Sequence, residues 1–192
     1  MYKNKSDLQK RLFIALDIAE GVRRYLYEIA VKLNKEENDI RKISFSNIHI
    51  TLKFLGSVNI NKIDKIISAV KKTADNFEHF YYRLSDRLDA FPGLLNAKVI
   101  FVPLKEGNEN VIKVYNDLEN NLSKIKIRKE KRNFSPHITI ARIKNRINIE
   151  KIINGLRVCK PGRINCNRIV LFESILKPTG AEYNIVKGCQ LK

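Results

Sequence analysis

The chain is short of several things. Its three cysteines, Cys159, Cys166 and Cys189, are an odd number, lack C-x-x-C spacing and lie far from the sequence's paired histidine motifs. They give no sign of a cysteine-based metal centre and read as reduced thiols. No apolar run approaches the ~20 residues of a membrane span. The polar start Met1-Tyr2-Lys3-Asn4-Lys5 carries no signal-peptide pattern. A soluble, cytoplasmic protein with no membrane partner is therefore expected. Linkers and low-complexity stretches are also missing, so 1–192 reads as a single domain, and 44% hydrophobic content is enough for a real core. A monomer is expected. Acid is scarce as well: 20 Asp and Glu against 37 Lys and Arg leave a net charge of +17. Such a balance favours a polyanionic partner. A lysine-rich solvated surface would give the same sum, and the basic residues are dense only between Lys124 and Arg132.

Histidine is scarce too, at three, yet two of the three sit in matching settings: His49-Ile50-Thr51-Leu52 and His137-Ile138-Thr139-Ile140, 88 residues apart. Side chains alternate faces along a strand, so His and Thr two residues apart point one way while the flanking Ile and Leu point the other. Each tetrapeptide thus offers one imidazole and one hydroxyl, backed by apolar packing. The near-half-chain spacing reads as an internal repeat whose two His-Thr faces can meet across one groove. His79 lacks the pattern and reads as a surface or packing residue.

Periodicity places the motifs. Arg11 to Ile18 has the length of a buried strand, followed by a helix with its stripe at Val22, Tyr25, Leu26, Ile29 and Leu33. Ile43 to Phe54 reads as the first motif strand, stopped by Gly56, and Ile63 to Ala74 as a second helix. Phe80 to Phe91 reads as a strand ended by Pro92-Gly93, and Lys98 to Pro103 as another, ended or put at an edge by Pro103. A third helix covers Val111 to Ile125. Pro136 forces Ser135 into an extended conformation at the entry to the second motif strand. A short helix over Ile149 to Leu156 and a terminal hairpin, Arg168–Ser174 with Glu182–Val186, complete the chain, with Pro178-Thr179-Gly180 in the connection. Each half reads as strand, helix, motif strand, helix and further strands. The fold class expected is α+β: a bilobal pseudo-two-fold duplication, two antiparallel sheets facing a central groove with helices outside.

With paired H-x-T-x motifs, the chain resembles the two-histidine phosphoesterase superfamily, and within it the RNA 2′,3′-cyclic phosphodiesterase or 2′-5′ RNA ligase branch. The resemblance runs almost end to end: R-L-F-I-A-L at Arg11 to Leu16, H-I-T-L-K-F-L-G at His49 to Gly56, F-P-G at Phe91 to Gly93, F-S-P-H-I-T-I-A-R at Phe134 to Arg142, and L-F-E-S-I-L-K-P-T-G-A-E-Y at Leu171 to Tyr183. It implies a metal-free site between two lobes, no cofactor, and hydrolysis of a 2′,3′-cyclic phosphate at an RNA end to a 2′-phosphate, with reversible 2′-5′ ligation as a further activity. Many relatives carry a tryptophan just before the first motif, where this chain reads Lys42-Ile43-Ser44-Phe45.

Two imidazoles suit such a reaction, because an ordinary pKa of about 6.5 lets one start neutral and the other charged near pH 7. Spacing does not say which is acid and which base; the resemblance implies His49 as proton donor and His137 as acceptor. Thr51 and Thr139 are candidates to donate hydrogen bonds to non-bridging phosphate oxygens. Lys53 shares the strand parity of His49 and Thr51, which turns it toward the phosphate. Arg142 matches a phosphate-contacting arginine of the family but has the opposite parity, so it reaches the groove only from the strand end or through a bulge. Phe13, Phe45 and Tyr183 are candidates to stack on a base, with core packing an equal reading of each. Two other readings stay open: a cyclic phosphodiesterase acting on a small ADP-ribose-type nucleotide, and a non-catalytic RNA-binding module.

Overall fold

The computed structural model describes residues 8–156, 158, 162–178 and 180–192; Cys159, Thr179 and the N-terminal pentapeptide lie outside them. Among the described residues there are ten strands: β1 (Gln9–Leu16), β2 (Ile40–Lys42), β3 (Ile50–Asn59), β4 (Phe80–Leu84), β5 (Asp89–Phe91), β6 (Ala97–Glu106), β7 (His137–Ile147), β8 (Ile164–Cys166), β9 (Arg168–Lys177) and β10 (Gly180–Gln190). Four helices accompany them: α1 (Glu20–Glu36), α2 (Ile63–Ala74), α3 (Asn108–Lys124) and α4 (Glu150–Asn154).

All strand pairs are antiparallel, in the order β10-β9-β1-β3-β7-β6-β4-β8, with β2 beside β7 and β5 beside β6. The α+β duplication is as the motifs imply. The two expected sheets are, however, hydrogen-bonded into one, because β3 and β7 meet at a single rung, Ile50 opposite Ile138.

The repeat is regular in its first elements. From Gln9 to Ala97, from Glu20 to Asn108 and from His49 to His137 the offset is always 88 residues, and α1 and α3 are both 17 residues long. Each helix buries one stripe: Leu26, Ile29, Ala30 and Leu33 in α1, and Val111, Val114, Tyr115, Leu118 and Leu122 in α3. α1 lies on β2 and β7, and α2 lies on β9, β10 and α3. One contiguous buried cluster runs through both halves, from Leu12 to Leu191, and includes Ile50, Leu52, Ile138 and Ile140 behind the motifs. Gly107 starts α3 at φ +82°, where a Cβ would lie 2.7 Å from the Tyr81 carbonyl, so only glycine fits there.

Several boundaries differ from the expectation. The span read as one strand from Ile43 to Phe54 is split: β2 precedes it, a 3-10 turn occupies Phe45–Asn47, and β3 begins at Ile50. Gly56 does not stop β3 but sits at φ +69° beside a register shift, and the strand continues to Asn59. Phe80 to Phe91 breaks at residues 85–88 into β4 and β5. Pro103 lies inside β6, opposite His137, and its carbonyl accepts the Ser85 N–H at 2.8 Å. β8 carries no sequence signal beyond three residues and, among the described residues, pairs only with β4. Cys166 and Cys189 are free, buried thiols.

Candidate active site

The Ile50–Ile138 rung organises the site. Both side chains are fully buried on the core side, so their neighbours His49, Thr51, His137 and Thr139 turn to the opposite face. Continued on either side of the rung, an antiparallel ladder would put His49 across from Thr139 and Thr51 across from His137. In a regular ladder the two histidines then lie on a diagonal of about 7–8 Å. The charge of His137 is felt at His49, which fits that proximity.

Each imidazole rests on phenylalanines from the next strand. His49 stacks on Phe13 at 5.0 Å between ring centres, with Phe172 at 5.9 Å and Tyr183 at 5.7 Å. His137 stands edge-on to Phe101 and Phe91, each at 5.1 Å, and those two rings stack at 4.3 Å. Such ring pairs contribute about 0.5–1.5 kcal/mol each and fix ring orientation.

The hydrogen bonds differ between the lobes. His137 Nδ1 lies 2.7 Å from the Ser135 carbonyl, which can only accept, so Nδ1 carries a proton and the neutral ring keeps its lone pair on Nε2. His49 Nε2 lies 2.8 Å from Thr51 Oγ1, while its buried Nδ1 makes no hydrogen bond of good geometry and has only a weak contact with the Asn47 backbone, the counterpart of Ser135 at the 88-residue offset. Burial drives the His49 pKa down from 6.5 to about 4, opposed by the Asn47 backbone and assisted by Arg23. Burial also lowers His137, and the Ser135 carbonyl opposes it. The Thr139 hydroxyl makes no hydrogen bond among the described residues. No cluster of three His, Cys, Asp or Glu side chains among them could hold a metal ion.

A bulge in each motif strand decides what else reaches this face. Ala15 pairs with Thr51 but Ile14 with Lys53, leaving Leu52 as an extra residue; Phe101 pairs with Thr139 but Ile100 with Ala141, leaving Ile140 extra. Beyond each bulge the parity is reversed. Lys53 therefore does not face a phosphate: it turns to the core beside Ile14, is 8% exposed, and pairs with Glu119 at 2.5 Å and the Arg128 carbonyl at 3.0 Å. Arg142 gains what Lys53 loses. It pairs with Val99, on the same face of β6 as Phe101, and is exposed on the histidine face.

Phe54, at the position in the first lobe corresponding to Arg142 in the second, lies across from Phe13 and is 67% exposed. Sequence reasoning missed it, since its parity is wrong unless the bulge is known. Phe13 is 2% exposed and forms the floor under His49, so it has no free face for a base. Tyr183 sits beside it, half-buried, 4.6 Å from the Phe13 ring. Phe45 is not brought to the histidines by any ring contact. It packs edge-on to Tyr27 at 5.9 Å, under the guanidinium groups of Arg23 and Arg24 at 5.8 Å each. His79 lies far off, its N–H bonded to the Lys192 carbonyl at 2.8 Å.

Two repeated lobes, each turning a histidine and a threonine onto one face of a shared antiparallel sheet, define a two-histidine α+β class. A model of the 2′-5′ RNA ligase superfamily matches residues 22–176, and the chain belongs to that family. It is 31% identical over 183 residues to an RNA 2′,3′-cyclic phosphodiesterase of Thermotoga maritima, covering 95% of this chain and 96% of that one. Among solved structures it resembles TT0787 of Thermus thermophilus, with TM-score 0.78, 24% identity and coverage of 94% and 97%. It also resembles E. coli LigT complexed with 3′-AMP, with TM-score 0.75, 21% identity and coverage of 96% and 99%. These two likenesses carry the fold.

Proposed function

We propose that the protein hydrolyses 2′,3′-cyclic phosphate ends of RNA to 2′-phosphates by paired imidazole acid–base catalysis without a metal. The observation that supports this reading is the single Ile50–Ile138 rung, whose buried side chains leave the flanking histidine and threonine of each motif on the opposite face of the sheet. The names of the curated relatives and the +17 charge support RNA as the substrate.

In the reaction His137 acts as base, because its Nδ1 proton is committed to Ser135 and Nε2 holds the lone pair. Nε2 takes a proton from water, the water oxygen bonds to phosphorus, and the phosphorus–O3′ bond breaks. His49 delivers a proton to O3′, leaving a 2′-phosphate and a 3′-hydroxyl. With a pKa of about 4, His49 is neutral at pH 7. A phosphodiester anion between the two rings raises that pKa, so His49 takes up its proton as substrate binds. Thr51 and Thr139 donate to the non-bridging oxygens, and Arg142 supplies charge from beyond the bulge. With a 5′-hydroxyl in place of water and each group in the same role, the 5′-oxygen bonds to phosphorus as O3′ leaves, and the product is a 2′-5′ phosphodiester.

The test is end-group analysis of an oligoribonucleotide with a 2′,3′-cyclic phosphate. A 2′-phosphate product, formed equally well with EDTA present, is expected. A 3′-phosphate would mean that O2′ leaves instead, and either that result or a loss of activity on chelation overturns the mechanism. A parallel mononucleotide cyclic phosphate separates an RNA enzyme from one built for small nucleotides, which gains nothing from chain length.

A further inference from the structure

The buried Lys53–Glu119 pair has no counterpart in the other lobe. Applying the 88-residue offset, Lys53 corresponds to Ala141 and Glu119, the twelfth residue of α3, to Val31, the twelfth of α1. The fold therefore does not need charges there, and burying two of them is costly unless they do something. What they touch differs between the lobes as well. Nine residues before His49 the chain forms β2, laddered onto β7 through Ile40–Ile143, Arg41–Arg142 and Lys42–Ala141. Nine residues before His137 the chain reaches Arg128, but segment 128–130 forms no strand beside β3. Lys53 Nζ donates to the Arg128 carbonyl at 3.0 Å, and Glu119 Oε2 accepts the Glu130 N–H at 3.0 Å. An ion pair thus stands where the other lobe has backbone rungs.

The segment so held is cationic. Lys126, Arg128, Lys129, Lys131 and Arg132 are all exposed, and none makes an ion pair among the described residues. The one acid, Glu130, is turned back on its own loop, accepting the N–H groups of Lys131 and Arg132 at 2.9 and 3.4 Å. Ile127 and Arg128 line a cavity of about 260 Å³ against Leu55, Ser57 and Val58 of β3. From Arg132 the chain runs into His137 within five residues, at most about 17 Å of extended backbone.

We propose that the Lys53–Glu119 pair is a positioning device that fixes segment 126–132 as a cationic rim, and that this rim takes the phosphodiester backbone of single-stranded RNA whose end occupies the histidine site. This rests on the reading of that site as one for RNA ends. A ladder onto β3 would flatten the segment against the sheet; the ion pair holds it off and leaves its cations to solvent.

The experiment compares kcat/KM for a mononucleotide and an octanucleotide 2′,3′-cyclic phosphate between 50 and 200 mM salt, in wild type and in the variant R128S/K129S/K131S/R132S. The octanucleotide's advantage should fall at least tenfold in the variant. Its log–log salt slope should become shallower by up to about 3, at roughly 0.7 per released single-strand phosphate contact. An unchanged ratio and slope would overturn the rim. The positioning role is tested with all rim cations in place by K53M/E119M, and by Glu130→Pro, which removes the N–H that Glu119 holds without touching the core. Glu130→Pro also makes the loop more positive, so charge alone would strengthen RNA binding. A loss of chain-length advantage is therefore expected only from loss of position, and a retained or increased advantage overturns that role. Should the wild type turn over neither substrate, fluorescence anisotropy of a labelled octanucleotide over the same salt range reads the same slopes. The rim then stands or falls separately from the chemistry.

Discussion

His49 gives the protein a pH dependence of stability that can be worked out from its surroundings. Its pKa is about 4 in the folded chain and about 6.5 in an unfolded one. Between those two values the unfolded state binds more protons than the folded state, so stability falls as pH falls from 6.5 toward 4 and is complete above 6.5. A difference of 2.5 units corresponds to about 3 kcal/mol, nearly all of it developed between pH 7 and pH 4. His137 moves in the same direction. The perturbation is His49→Gln, which keeps a polar side chain on the Phe13 floor and cannot titrate. Urea unfolding of both proteins at pH 7 and pH 4, at constant ionic strength, should show the variant gaining about 3 kcal/mol on wild type across that interval. Imidazole Cε1 proton shifts should place one histidine near pH 4. Parallel stability curves for the two proteins, or three histidines all titrating near 6.5, would refute the buried, aromatic-walled environment described for this ring.

Binding inorganic phosphate at pH 5.5 should take up close to one proton per site, read as buffer-dependent calorimetric heats, because the anion restores the charge on His49. His49→Ala and His137→Ala should each lower turnover by about 10²–10⁴ while the melting temperature shifts only a few degrees, measured on a cyclic-phosphate oligonucleotide and by circular dichroism. Ile50→Asp puts an unpaired charge at the fully buried rung and should cost several kcal/mol in urea unfolding, leaving no stable native baseline.

Much of this molecule was legible because its informative residues are local and repeated. The α1 stripe, the α3 stripe and the two H-I-T-x strands follow from spacing alone, and the 88-residue offset of the motifs extends to the helices and strands before them. What was not legible depends on partners far away in sequence. The bulges at Leu52 and Ile140 exist because β1 and β6 set the register, and nothing in H-I-T-L-K-F announces them. That one-residue slip accounts for both errors of parity: Lys53, read as facing phosphate, is in the core, and Phe54, unremarked, is on the site face. Arg142 was recoverable only because the family pattern argued against the simple alternation. β2 and β8 are three-residue strands whose existence rests on β7 and β4, too short for any period to register.

The joint between the halves sets a mechanical tolerance. One rung between Ile50 and Ile138 acts as a fulcrum, and each imidazole rides on a lever a few ångströms from it. A twist of roughly 15° on an arm of about 4 Å, half of the diagonal between the two rings, swings a ring by about 1 Å, a displacement on which about a hundredfold in rate can turn. The stiffness at this joint therefore comes from the aliphatic wedge of Ile50, Leu52, Ile138 and Ile140 behind the fulcrum, not from the imidazoles it carries.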